Sequence, residues 1–222
     1  MTEPSSRLAA VPHRWVVHDG AFVVLATPAG IGTVGASGDL NDRLAAWRPE
    51  ARLMHPLDAD ASGAVLVAGE KDQRRALQAA LEAGVARRWL AGVTRFDEAA
   101  LRRLRQHGRV EVVARSAGRA LIAIETQARS QPVRRWLADA GIDVAEHRRL
   151  MLHVERVTVA ETRVTCPRPP EMQRWLEGRP AALTEDLSTR FEAAMDRRWP
   201  IARDLDTDML RWVHGAGDDL PG

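Results

Sequence analysis

The dipeptide Asp19-Gly20 separates two apolar runs, residues 15–18 and 21–26. Asp-Gly between two apolar runs is among the strongest short-range signals for a β-hairpin, because both residues accept the positive φ angles of a tight turn. The sequence therefore predicts that the chain begins its fold with two antiparallel strands.

Short strand-like and helical segments follow the hairpin. The predicted strands cover residues 64–68, 86–94, 109–115, 120–125, 150–159 and 162–166. The predicted helices cover residues 39–47, 71–83, 97–106, 130–140 and 172–177. Gly84 and Gly141 stand where a helix C-terminus favours glycine. Many sequential strands with helices between them predict an α+β fold, in which a central mixed, mostly antiparallel sheet is flanked by helices and loops.

The composition changes after Pro167, where prolines and then Gly178-Arg179-Pro180 interrupt the chain. Such stretches are typical of domain boundaries. We therefore expect one catalytic domain over residues 12–177, followed by a linker and a helical tail over residues 178–222.

The composition argues against a membrane protein, a disulfide-stabilised protein and a metalloprotein. The longest apolar runs, such as residues 64–68, are too short to cross a membrane, and residues 1–7 are polar, unlike a signal peptide, so we expect a cytoplasmic protein without a membrane partner. A single cysteine, Cys166, excludes an internal disulfide and is expected to be a buried, idle thiol. The seven histidines lack metal-ligand spacing, so we expect no metal.

Nearly all of the positive charge comes from arginine, since Lys71 is the one lysine in the sequence. Arginine binds phosphate in bidentate fashion and stacks on bases, which suits a nucleic-acid partner. A biased genomic base composition would also replace lysine by arginine, so charge favours RNA only modestly.

Two loops contain candidate functional residues. Residues 30–35 match the Gly-x-Gly-x-x-Gly pattern of dinucleotide-binding folds, but no long helix starts at the third glycine, so this interpretation ranks low. Residues 54–63 include Asp58 and Asp60 and lead directly into the apolar run at residues 64–68. A carboxylate at the mouth of a sheet suits catalysis, although an ordinary turn with Asx-type hydrogen bonds would also explain the segment.

Five segments in order resemble RluA-type pseudouridine synthases of the RluA/RsuA superfamily. Residues 15–30 resemble the opening hairpin and Pro-Ala-Gly turn of that family, and residues 55–63 its His-Arg-Leu-Asp-x-x-Thr-Ser-Gly motif. Residues 85–93 resemble its Lys-Arg-Tyr-Leu-Ala strand, residues 128–141 its Gly-Arg-x-x-Gln-Ile-Arg segment, and residues 150–154 its Leu-Leu-Leu-His-Ala strand. The resemblance covers about residues 12–177 and implies the pseudouridine synthase fold.

The resemblance implies an isomerisation of uridine to pseudouridine in RNA, without a cofactor. Asp58 matches the family's catalytic aspartate, and Arg134 matches an arginine that would hold this carboxylate ionised and oriented. His55, Leu57 and Trp89 are implied to line the substrate site, where the target uridine would arrive by base flipping. By the same matching, the expected phosphate contacts are Arg129 and Arg135.

Four positions depart from the family pattern. Pro56 replaces the motif arginine and Trp89 the active-site tyrosine, while Thr27 and Ala128 replace a lysine and a glycine. Trp89 could still stack on a flipped base but offers no phenol hydroxyl. The alternative is therefore a catalytically impaired RNA-binding module.

Residues 187–222 resemble the segment that precedes the catalytic domain of SAM-dependent rRNA cytosine methyltransferases. This second resemblance predicts that the chain is part of a fusion with a methyltransferase, although a charged tail that caps the domain would also fit. We expect ribosomal RNA rather than tRNA as the partner. We expect the protein to be a monomer.

Overall fold

The computed structural model describes residues 10–33, 39–116, 118–128, 130–145 and 150–178, without the side chains of residues 130 and 131. The chain divides into two units after Gly178, and all of the described residues belong to the first. The predicted linker and tail beyond Gly178, with their methyltransferase resemblance, lie outside the described residues, and the predicted domain boundary stays a prediction. Arg129 also lies outside the described residues.

Nine strands form one sheet. They are β1 (Val16–Asp19), β2 (Val23–Thr27), β3 (Arg52–Leu53), β4 (Ser62–Ala68), β5 (Ala86–Val93), β6 (Arg109–Ser116), β7 (Arg119–Thr126), β8 (Leu152–Val159) and β9 (Thr162–Thr165). The order across the sheet is β1-β2-β4-β8-β5-β7-β6, with β3 added to β4 and β9 to β8. All pairs are antiparallel except β4 with β8, where Ser62 lies opposite His153 and Gly63 opposite Val154. The predicted mixed, mostly antiparallel sheet is therefore confirmed.

Within the described residues, five α-helices accompany the sheet: α1 (Leu40–Trp47), α2 (Lys71–Ala83), α3 (Glu98–Leu104), α4 (Ser130–Asp139) and α5 (Pro170–Leu176). Asp39 and Asp97 cap α1 and α3, each by accepting a hydrogen bond from the amide three residues ahead. Gly141 follows α4 with a φ of +75°, a left-handed conformation that ends the helix. None of the described helices is long and apolar enough to cross a membrane.

Alternate residues of β5 pack on opposite faces of the sheet. Trp89, Ala91 and Val93 join the main core, whereas Leu90 joins a smaller cluster with α5. Every residue of β4 is buried as well. The middle of the sheet is therefore covered on both faces.

Candidate active site

Asp58 and Arg134 form an ion pair between the loop that precedes β4 and helix α4. Arg134 Nη1 lies 3.3 Å from Asp58 Oδ2, and the two side chains are 41% and 19% exposed. Val133 and Leu137 are fully buried on α4, and this packing fixes the helix face from which Arg134 extends. The predicted contact between the two residues is present, and Asp58 is partly open to solvent.

The backbone around Asp58 is clamped by the loop at residues 30–33. Thr33 Oγ1 donates to the carbonyl of Leu57 at 2.8 Å and accepts from the amide of Leu57 at 3.2 Å. The amide of Gly30 donates to the carbonyl of Ala59 at 2.7 Å. Both neighbours of Asp58 are thus held by hydrogen bonds from the glycine-rich segment, which here serves as a support for the carboxylate loop.

His55 holds the other end of this loop, and its place in the substrate site stays a prediction. The residue is buried, and its Nε2 accepts a hydrogen bond from the amide of Leu66 at 3.2 Å. The amide of Met54 donates to the carbonyl of Leu66 at 2.9 Å. His55 therefore fixes the loop to β4 through the backbone, and its ring is not available to a substrate in this conformation.

The start of β4 is fixed to β8 by a buried polar pair and a glycine. Ser62 Oγ and His153 Nδ1 lie 2.9 Å apart, and both residues are buried. Gly63 follows with a φ of +117°, and a Cβ at this position would lie 2.3 Å from the carbonyl oxygen of Val154. Thr27 Oγ1 donates to the carbonyl of Gly63 at 3.1 Å. These contacts fix the start of β4, which lies four residues after Asp58, beside β8.

Trp89 is packed in the core, and its ring has no exposed face for stacking on a substrate base in this structure. The residue is 1% exposed and belongs to the main core cluster. Its Nε1 donates to the carbonyl of Ala128 at 3.3 Å. A buried indole needs a partner for its N–H, and the backbone that leads into α4 supplies one.

The remaining predicted site residues differ in exposure. Leu57 is 4% exposed and packs in the main core, so its role as a pocket wall stays a prediction. Arg135 and Pro56 are exposed. Contact of Arg135 with phosphate stays a prediction.

Sequence reasoning missed Thr33, Ser62 and His153. Ser62 and His153 stand inside the motifs already quoted, yet no local pattern indicated that they would contact each other across 91 residues. Thr33 lies in the glycine-rich segment, and its contact with Leu57, 24 residues away, has no local sequence signal. Among the described residues, no three His, Cys, Asp or Glu side chains are placed to hold a metal ion.

Comparison with known proteins supports the resemblance drawn from the motifs. No protein-family model matches the chain. Over 78 residues it is 37% identical to ribosomal large subunit pseudouridine synthase C of Haemophilus ducreyi. Over 79 residues it is 38% identical to the protein of the same name from Haemophilus influenzae. Each match covers 32% of this chain and 24% of the relative, so the chain spans about a quarter of the length of these relatives. The similarity to pseudouridine synthases is confirmed.

Two solved structures share the architecture. Human RNA pseudouridylate synthase domain containing 4 has a TM-score of 0.56 and 13% identity, over 72% of this chain and 90% of that chain. Human RNA pseudouridylate synthase domain containing 1 has a TM-score of 0.57 and 17% identity, over 77% and 89%. At these identities the likeness establishes the fold, and the chain adopts the pseudouridine synthase fold.

Proposed function

We propose that this chain isomerises uridine to pseudouridine in structured RNA, with Asp58 as the catalytic carboxylate and Arg134 as its positioning partner. The observation that carries the proposal is the 3.3 Å ion pair between these two residues. The two side chains belong to separate motifs of the family and meet on the family's fold. Ribosomal RNA is the proposed substrate, since the two sequence relatives are named for the large ribosomal subunit.

The proposed reaction conserves all atoms of the uridine. The N1–C1′ bond breaks, the base turns, and a C5–C1′ bond forms, while C5 loses a proton and N1 gains one. Asp58 acts as nucleophile or general base, and its 19% exposed side chain leaves access for a flipped base. Arg134 keeps the carboxylate oriented through its guanidinium, and no cofactor is needed for this chemistry.

One observation favours a second candidate, an impaired RNA-binding module attached to a methyltransferase. Trp89 occupies the position of the family's tyrosine, is buried, and carries no hydroxyl. Pro56, at the position of the motif arginine, likewise provides no cation to extrude the base. Such a chain would bind RNA through its arginines and present it to another domain.

The test is pseudouridine formation by the purified chain on transcribed large-subunit ribosomal RNA, measured by mass spectrometry of the digested nucleosides. We expect the wild type to form pseudouridine and Asp58→Asn to form none at unchanged RNA affinity, because phosphate contacts supply most of the binding. Asp60→Asn is the matched control, since Asp60 is an exposed carboxylate of the same loop. A wild type that binds RNA but forms no pseudouridine would instead favour the impaired module.

A further inference from the structure

A second concave surface lies away from Asp58, at the ends of β5, β6 and β7. It is a cavity of about 660 Å³ lined by Thr94, Arg95, Phe96, Arg115, Ser116, Gly118 and Arg119. Three of its seven lining residues are arginines and none is acidic. We call it the arginine pocket.

The arginines of this pocket are oriented by contacts that leave their charge uncompensated. The Arg115 guanidinium lies 4.8 Å from the centre of the Phe96 ring. Arg119 Nη1 donates to the carbonyl of Trp175 at 2.5 Å, and its guanidinium lies 5.7 Å from the centre of the Trp175 ring. An aromatic face or a carbonyl attracts a cation without neutralising it. The pocket therefore keeps its positive charge while two of its three cations are held in place.

On the neighbouring strands β5 and β8, in contrast, Arg88 and Arg156 are paired with carboxylates. Arg88 contacts Glu111, Glu125 and Glu155 at 2.9–3.1 Å. In the part of the chain that the structure describes, none of the three pocket arginines forms an ion pair. Glu98, whose pKa is lowered first by a hydrogen bond from Arg105 and only weakly by the charge of Arg115, is bound to Arg105 at 2.6 Å. The pocket is thus a cationic surface without an ion pair among the described residues, in contrast to the carboxylate-paired Arg88.

The strand directions place this pocket at the same end of the sheet as Asp58. β4 and β8 run parallel, and β5 runs antiparallel to both, so the start of β4 and the end of β5 face the same way. Asp58 precedes β4, whereas residues 94–96 follow β5, Ser116 ends β6 and Arg119 begins β7. In the strand order, β5 and β7 are two and three strands from β4, roughly 10–15 Å at the usual strand spacing.

We infer that the arginine pocket binds backbone phosphates of the RNA that flank the target nucleotide. This inference rests on the proposed function, because it assigns the second anchoring surface of the same substrate. Arg95 and Arg115 are exposed, so the pocket is open to a chain that passes over it. Guanidinium groups suit phosphate because they donate paired hydrogen bonds to its oxygens.

The experiment measures binding of a fluorescein-labelled RNA hairpin with a uridine-rich loop, by anisotropy at several salt concentrations. The test variant is Arg95→Gln with Arg115→Gln. Its matched control is Arg75→Gln with Arg163→Gln, which removes the same charge from two exposed arginines on α2 and β9. For the pocket variant we expect Kd to rise about tenfold near 0.1 M salt, with a salt slope about 1.5 smaller, since two phosphate contacts are lost. We expect the control to behave as the wild type.

Two results would overturn the inference. They are a pocket variant that binds the hairpin as tightly as the control does, and a wild type without affinity for the hairpin. Arg95→Gln alone, which breaks no contact among the described residues, guards against misfolding and should raise Kd about threefold. Pocket-dependent RNA binding without pseudouridine formation would refute the proposed function and leave the pocket standing. Pseudouridine formation with RNA binding that does not depend on the pocket would support the proposed function and refute the role of the pocket.

Discussion

The indole Nε1 of Trp89 donates a hydrogen bond to the main-chain carbonyl of Ala128, 3.3 Å away. Both residues stand at positions where this chain departs from the family pattern, a tyrosine in one case and a glycine in the other. The two residues that depart from the family pattern are therefore in direct contact. The larger ring fills the core and ties the segment before α4, which holds Arg134, to the central strand β5.

This contact predicts the effect of restoring a smaller ring. Trp89→Tyr and Trp89→Phe should each lower the free energy of unfolding by roughly 1–3 kcal/mol, because both leave a cavity and an unpaired carbonyl at Ala128. Urea denaturation measures the loss. Trp136→Phe is a useful control, since Trp136 is only partly buried and stacks on His107. Full stability of Trp89→Phe would mean that the core does not depend on the indole.

Substitutions of Arg134 and of its neighbour Arg135 should have different effects on kcat and KM. Arg134→Gln removes the partner of Asp58, and we expect kcat to fall roughly 100-fold, because small displacements of a catalytic group cost about that much. Arg135→Gln removes an exposed charge and should raise KM for RNA several-fold with kcat unchanged. Single-turnover and steady-state rates of pseudouridine formation distinguish the two. Equal effects of both substitutions on kcat would argue against a specific role for the ion pair.

Thr33 offers a matched pair of substitutions. Thr33→Val keeps the volume but loses both hydrogen bonds to Leu57, so we expect a stability loss of about 1–3 kcal/mol and a fall in kcat. Thr33→Ser keeps the hydroxyl and should retain most of the activity. A merely structural role would leave kcat of the folded Thr33→Val enzyme near that of the wild type, measured well below its melting temperature.

Local signals predicted most of the fold. Asp19-Gly20 located the first hairpin, the apolar run at residues 64–68 located β4, and Gly84 marked the end of α2, because each of these features depends on neighbouring residues only. β3 was missed, since two residues, Arg52 and Leu53, carry no periodicity. α5 begins at Pro170 rather than near residue 172, because proline is accepted in the first turn of a helix.

The site was harder to predict than the fold. The contact of Asp58 with Arg134 followed from two motifs that occur together in one family, which no pattern within either segment would have shown. The burial of Trp89 could not be predicted, because β5 is buried on both faces and alternation along the strand does not distinguish a core face from a pocket face. The clamp on Leu57 joins residues 24 positions apart and leaves no local signature.

Gly63 should tolerate no side chain. Gly63→Ala places a Cβ against the backbone of Val154 at a φ of +117°, so we expect a loss of roughly 1–3 kcal/mol or more in unfolding free energy. The control is Gly32→Ala, since an added Cβ there meets nothing within 4 Å. Thermal unfolding of both variants decides the matter, and equal melting temperatures would show that β4 can shift relative to β8.

The ionisation of Cys166 can be followed at alkaline pH with little interference from other side chains. The thiol is buried and free, and its burial raises its pKa from 9.0 to about 12. The folded state therefore holds the proton more tightly than the unfolded state. The stability that the buried, protonated thiol contributes is complete below pH 9 and is lost as the pH rises from 9 toward 12. Tyrosine is absent from the sequence and Lys71 is its one lysine, so few other side chains titrate in this range.

We expect urea denaturation to show the wild type losing about 1 kcal/mol relative to Cys166→Ala between pH 8 and pH 10. A difference between the two proteins that stays constant over this interval would mean that the thiol ionises as readily in the folded state. Reaction with a thiol reagent at pH 8 gives a second measurement. The folded protein should react only as fast as it opens, whereas in concentrated guanidinium one thiol per chain should react at once. Rapid labelling of the folded chain would contradict the burial of Cys166 directly.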